Sequence, residues 1–263
     1  TERHIVEAYD LQAQRLIPDR TKRARFWAAK LRLSEADALA IMNTPVRFRD
    51  TARDKLMKYG SPGYVTPDPA NFPTLADAVA MIRACGAMPL YAWVDGTTPG
   101  EEDTDLLLDY FCSAGQVGIN IIPDRNWNLR DPAEKARKKA MLDEVVAAAR
   151  NRHLPICVGT EMNRATQPMV DHFDAPEMKP HAQAFLDGAL ILWGHSLLLR
   201  HGGFGYVSEA ADLAFQKDPV RKNAFFREVG ALPVPHGKDL QALRAACRAA
   251  DPKGILKAMG KGP

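Results

Sequence analysis

Val117-Gly-Ile-Asn-Ile-Ile-Pro-Asp-Arg-Asn126 is a short, nearly unbroken apolar run that ends abruptly in polar side chains. Two other stretches have the same form: Met88-Pro-Leu-Tyr-Ala-Trp-Val-Asp95 and Leu154-Pro-Ile-Cys-Val-Gly-Thr-Glu-Met-Asn163. Runs of this length, apolar at nearly every position, suit strands covered on both faces by helices. Ligands of parallel α/β sheets sit at the carboxyl ends of the strands. The three stretches therefore predict one mouth carrying Asp95, Asn120, Asp124, Arg125, Asn126, Glu161 and Asn163.

The intervening segments read as helices. Residues 74 to 85 place Leu75, Val79 and Ile82 on one face before Gly86, and 103 to 114 end at Gly115. The segment 132 to 152 is entered through Asp131-Pro132. Residues 1 to 60 read as helical throughout, with Ser34-Glu-Ala-Asp37 as a helix start. The Pro/Gly-rich stretch 60 to 73 is the one internal boundary. The expected division is thus a helical segment 1–60 packed on or inserted in a barrel, a βα portion 61–200, and C-terminal helices 201–263.

Composition narrows the function classes. A chain of 263 residues with 46% hydrophobic residues can bury a sizeable core. Its 35 Lys+Arg against 32 Asp+Glu leave a net charge of only +3, which argues for no nucleic-acid partner. The four cysteines have no paired spacing, and no apolar run is read as a membrane span, so the expectation is a cytoplasmic protein with no membrane partner.

The order of elements resembles the polymerase and histidinol phosphatase (PHP) family of metal-dependent phosphoesterases. The residues that carry the resemblance are Ala78-Val-Ala-Met-Ile-Arg-Ala-Cys-Gly86 with Leu90-Tyr-Ala-Trp-Val94, then Ala114-Gly-Gln-Val-Gly-Ile-Asn120, then Gly159-Thr-Glu-Met-Asn163. It covers residues 20 to 165 and rests on order and spacing. It implies an α/β fold, a distorted TIM-type βα barrel incomplete in this chain, with helical extensions at both ends. The missing first strands, with a His-x-His pair, would come from an upstream segment or another chain.

The departures bear on chemistry. Trp93 and Asn163 stand where the family has metal-ligating histidines, and Glu161 stands for an aspartate. Zinc-type sites want imidazole or thiolate beside carboxylate, so a trinuclear site cannot be assembled. An oxygen-only site from Glu161, Asp95 and Asp124 would take a divalent ion, Mg²⁺ or Ca²⁺ on its ligand chemistry, and the expected cofactor is a divalent metal, Mg²⁺ or Mn²⁺.

Residue by residue, Glu161 is the expected acid/base group, and Asp95 is a second acid or the first residue of an Asp-Gly turn. Arg125 is an anion clamp. Asn120, Asp124, Asn126, Asn163 and Gln167 are polar ligand contacts, and Trp127 is a stacking face. His172 and His181 read as surface positions, and His195 as a buried hydrogen-bonding group. The expected function is a PHP-related, hydrolase-like protein binding a small anionic or polyhydroxylated ligand, with metal-dependent phosphoester hydrolysis as its chemistry. The alternatives are a metal-free binding or assembly subunit, and a sugar isomerase or epimerase barrel.

Overall fold

The computed structural model describes residues 2–68, 70, 72–160, 162 and 169–260. The chain forms two compact units, Thr1–Phe72 and Pro73–Pro263.

Unit 1 holds four helices: α1 Glu2–Leu16, α2 Arg20–Leu31, α3 Glu35–Ile41 and α4 Pro45–Leu56. Asp19 and Ser34 cap α2 and α3 by accepting the N–H groups of Lys22 and Asp37, which satisfies donors the first helical turn leaves open. The core is Trp27 edge-on to Phe48 at 5.0 Å, with Leu31, Ala38 and Ala52 fully buried around it.

Unit 2 begins with α5 Leu75–Ala84 and then alternates: β1 Leu90–Ala92, α6 Thr104–Ser113, β2 Gly118–Ile121, the single turn α7 Asp124–Trp127, α8 Pro132–Asn151, and β3 Ile156–Val158. Among the described residues a 3-10 turn, Lys179–His181, and five α-helices follow: α9 Ala182–Gly202, α10 Glu209–Ala214, α11 Pro219–Ala231, α12 Gly237–Arg248 and α13 Pro252–Ala258. Three helices of unit 2, α8, α11 and α13, start at Asp-Pro, with Asp131, Asp218 and Asp251 as N-caps and proline at the first position, where its missing N–H costs nothing.

The strands are parallel in the order β1-β2-β3, with Tyr91 opposite Ile119 and Asn120 opposite Cys157. Ile119, Ile121 and Ile156 bury between the strands and Leu142, Val145 and Val146 of α8. A second core gathers Phe204, Phe215, Phe225 and Phe226 among the C-terminal helices.

This corrects the expected barrel. Among the described residues the sheet has three strands and stays open, whereas a small closed barrel needs about eight. The physical reason lies beyond β3, where further strands would have to pair. There α9 closes on the strand instead: a Cβ on Gly188 would lie 2.0 Å from the Ile156 carbonyl oxygen. The helix is then locked on α11, since a Cβ on Gly194 would meet the Phe226 carbonyl at 2.2 Å and one on Gly230 the Leu190 carbonyl at 2.0 Å. The chain after β3 is a helical layer in which glycines let backbones touch.

A second correction concerns apolar length. The stretch Lys179–Gly202 is long and apolar enough to cross a membrane by length and composition. Phe185, Ile191, Leu197 and Leu198 of this stretch are buried, Leu186 and Trp193 are exposed, and it packs on β3, α11 and α12.

Candidate functional site at the strand ends

Leaving β1, the chain turns around Glu101, which is 4% exposed. Its carboxylate accepts the N–H groups of Val94 at 2.7 Å, Asp95 at 3.2 Å and Gly96 at 3.0 Å, and the hydroxyls of Thr98 and Tyr91 at 2.7 and 2.8 Å. Burial by itself would raise this carboxyl, but the donated hydrogen bonds outweigh it and hold Glu101 below its ordinary value. Tyr91 is pushed up, by burial and then by its bond to Glu101. Glu101 therefore sets the shape of the loop. Sequence reading missed it, although an acid one turn after Asp-Gly-Thr-Thr is the available signal.

Asp95 is fixed in the same loop. Its Oδ1 accepts the Thr97 N–H at 2.9 Å and the Thr97 hydroxyl at 2.6 Å, and its Oδ2 accepts Lys138 Nζ at 2.9 Å. Burial opposes ionisation here too, yet Thr97 and Lys138 keep the carboxyl below the usual aspartate range. Both oxygens are committed. The structure places Asp95 as the first residue of the Asp-Gly turn, one of its two expected readings, in a half-buried ion pair with Lys138.

At the end of β2, Asn126 is fully buried and its Nδ2 donates to the carbonyls of Asp95 at 3.0 Å and Lys138 at 2.8 Å. It ties the loop after β1 to α7 and α8. The Asn126 Oδ1, the Asp124 Oδ1 and the Trp127 indole N–H are buried and make no hydrogen bond among the described residues. The Trp127 ring also lies 5.8 Å from Lys135 Nζ and 6.3 Å from the His172 ring. Asn120 is half-buried beside Gly159, and Arg125 is half-buried and engaged.

At the end of β3, the Thr160 hydroxyl donates to the Asp171 carboxylate, which is 5% exposed. Asp171 is thus held at the carboxyl end of β3. Asp124 is raised above the ordinary aspartate value, first by burial and then by the negative charge of Asp171, while Asn128 and His172 oppose the shift. A shallow cavity of about 630 Å³ lies over Val170 to Ala175. His172 is exposed, as expected of it. His181 is buried, with Nε2 2.7 Å from Asp143 Oδ1, which corrects its surface reading.

The described cluster is therefore Asp124, Trp127, Thr160, Asp171 and His172, two carboxylates beside an imidazole and an indole. Asp171 was not legible because it lies eleven residues past Thr160, in a segment with no periodic pattern. Glu161, Asn163 and Gln167 lie outside the described residues. Among the described residues no group of three His, Cys, Asp or Glu side chains is arranged to hold a metal ion. Comparisons with family models, curated proteins and solved structures found no match.

Proposed function

We propose that unit 2 binds a small polyhydroxylated molecule at the strand ends, and that Asp124, coupled to Asp171, exchanges a proton with it. The observation that carries this reading is the Asp124 carboxyl, half-buried, with its buried Oδ1 unpaired among the described residues and its proton affinity raised by burial and by a second carboxylate. A carboxyl whose proton affinity is raised in this way can donate to a ligand oxygen as an acid and accept from it as a base, which is general acid–base work. The Trp127 ring adds an aromatic face suited to a sugar ring.

Of the two ligand classes the residue types allow, the hydroxylated one is favoured. An anion about 4 Å from either carboxylate would be repelled by roughly 1–4 kcal/mol, whereas a hydroxyl can donate to one and accept from the other. Glu161, next to Thr160 in the chain, is proposed as a further acid or ligand contact.

The test is a thermal-shift screen of the whole chain against neutral sugars, polyols, sugar acids and sugar phosphates. Neutral sugars or polyols are expected to raise the melting temperature, and Asp124→Ala and Trp127→Ala to abolish the rise. Stabilisation by sugar phosphates alone, or by none of the four classes, would overturn the reading.

A further inference from the structure

Unit 2 has a second cavity, of about 370 Å³, at the opposite end of the sheet from Asp124. It lies at the entry to β3, between the end of α8 and helices α9 and α11, and none of its lining residues belongs to the strand-end cluster. Its floor is apolar, built from Leu154, Pro155, Ile156 and Ile191, and its rim carries Arg150, Arg227, Asp187 and Asn223. The volume falls in the usual range for small-molecule sites, about 300–1,000 Å³.

The backbone shapes one wall. Ile119 N–H donates to the Pro155 carbonyl and Gly159 N–H to the Ile121 carbonyl, so Pro155, Cys157 and Gly159 face β2. Alternation along the strand then turns the amide groups of Ile156 away from β2, toward α9 and the cavity. Gly188 brings the α9 backbone against that edge. Across the cavity, Asn223 Nδ2 donates to the His153 carbonyl at 2.7 Å and holds α11 to the strand entry. The walls are thus set by backbone contacts.

Charge selects the ligand. Asp187 accepts Gln183 Nε2 at 2.9 Å and lies 3.4 Å from the Arg227 guanidinium, so it offsets one arginine. Arg150 has no side-chain partner among the described residues. Two cations and one anion leave the rim with one net positive charge above an apolar floor.

We infer that this cavity, formed by Arg150, Arg227 and the apolar entry to β3, is a second ligand site that takes a small organic monoanion with an apolar body. The arginines hold the charged group by hydrogen bonds to guanidinium, and the Leu154-Pro155-Ile156 floor buries the body.

The test is an NMR titration of the ¹⁵N-labelled whole chain with hexanoate, with hexanol as the uncharged probe of the same body. Hexanoate is expected to shift the amides of Ile156, Gly188, Asn223 and Arg227, and hexanol to shift them far more weakly. Both arginines are exposed, so Arg150→Gln and Arg227→Gln should keep the wild-type spectrum while each weakens hexanoate binding about tenfold. Asp124→Asn should leave the hexanoate affinity unchanged. No hexanoate response at these amides, an equal response to hexanol, or unaltered affinity in both arginine variants would overturn the inference.

Discussion

Asp124 and Asp95 stand at the ends of neighbouring strands, and their surroundings push their protons in opposite directions. Asp124 is raised by burial and by Asp171, so the folded protein holds its proton to a higher pH than the unfolded chain. Its contribution to stability therefore falls as pH rises from the ordinary aspartate value, about 3.9, through the folded value. Asp124→Asn is expected to stabilise the protein at pH 7, the gain shrinking toward zero as pH falls into the ordinary aspartate range. Urea unfolding across that interval checks it.

Asp95 is held low, because Thr97 and Lys138 outweigh burial. Its contribution is present above the unfolded aspartate value and is lost as pH falls through the folded one. Asp95→Ala removes three hydrogen bonds and leaves Lys138, 13% exposed, without its closest acid. A cost of about 1–3 kcal/mol at neutral pH is expected, read as a shift of the urea midpoint at unchanged slope. The sequence placed both aspartates at strand ends but not their difference, because Lys138 and Asp171 reach them from 43 and 47 residues away.

At the scale of elements, local signals were read well. The helix expected over 103 to 114 is Thr104–Ser113, the strand over 117 to 122 is Gly118–Ile121, and Ser34 caps α3. Caps, glycine stops and apolar runs act within a turn or two of where they are written. The assembly of these elements was misread because the barrel depends on what lies beside β3, and that is decided by Gly188, Gly194 and Gly230, which a single sequence shows only as glycines in helices. Gly188→Ala is expected to cost about 3 kcal/mol or more, because the added methyl meets backbone that cannot swing aside. A thermal melt checks it, with Gly203→Ala, where the added Cβ meets nothing within 4 Å, as the comparison. That control carries its own smaller cost from a left-handed backbone, so the difference between the two variants isolates the steric term.

At the scale of the whole molecule, the chain divides at Phe72 and Pro73, within the proline- and glycine-rich stretch, and each unit has its own core. Residues 73–263 expressed alone are therefore expected to unfold cooperatively and to keep the strand-end cluster. Circular dichroism melts and the amide spectrum of residues 118–128 check this. Loss of the fold would mean that unit 2 depends on residues 1–72.

The account rests most heavily on Asp124 as a carboxyl coupled to Asp171. A side-chain ¹³C NMR titration of Asp124 in the whole chain, repeated in Asp171→Asn, tests that most directly. The expected result is a titration above the ordinary aspartate value that moves down when Asp171 loses its charge. An ordinary value, unchanged by Asp171→Asn, would contradict the coupled pair and remove the basis for acid–base chemistry at the strand ends.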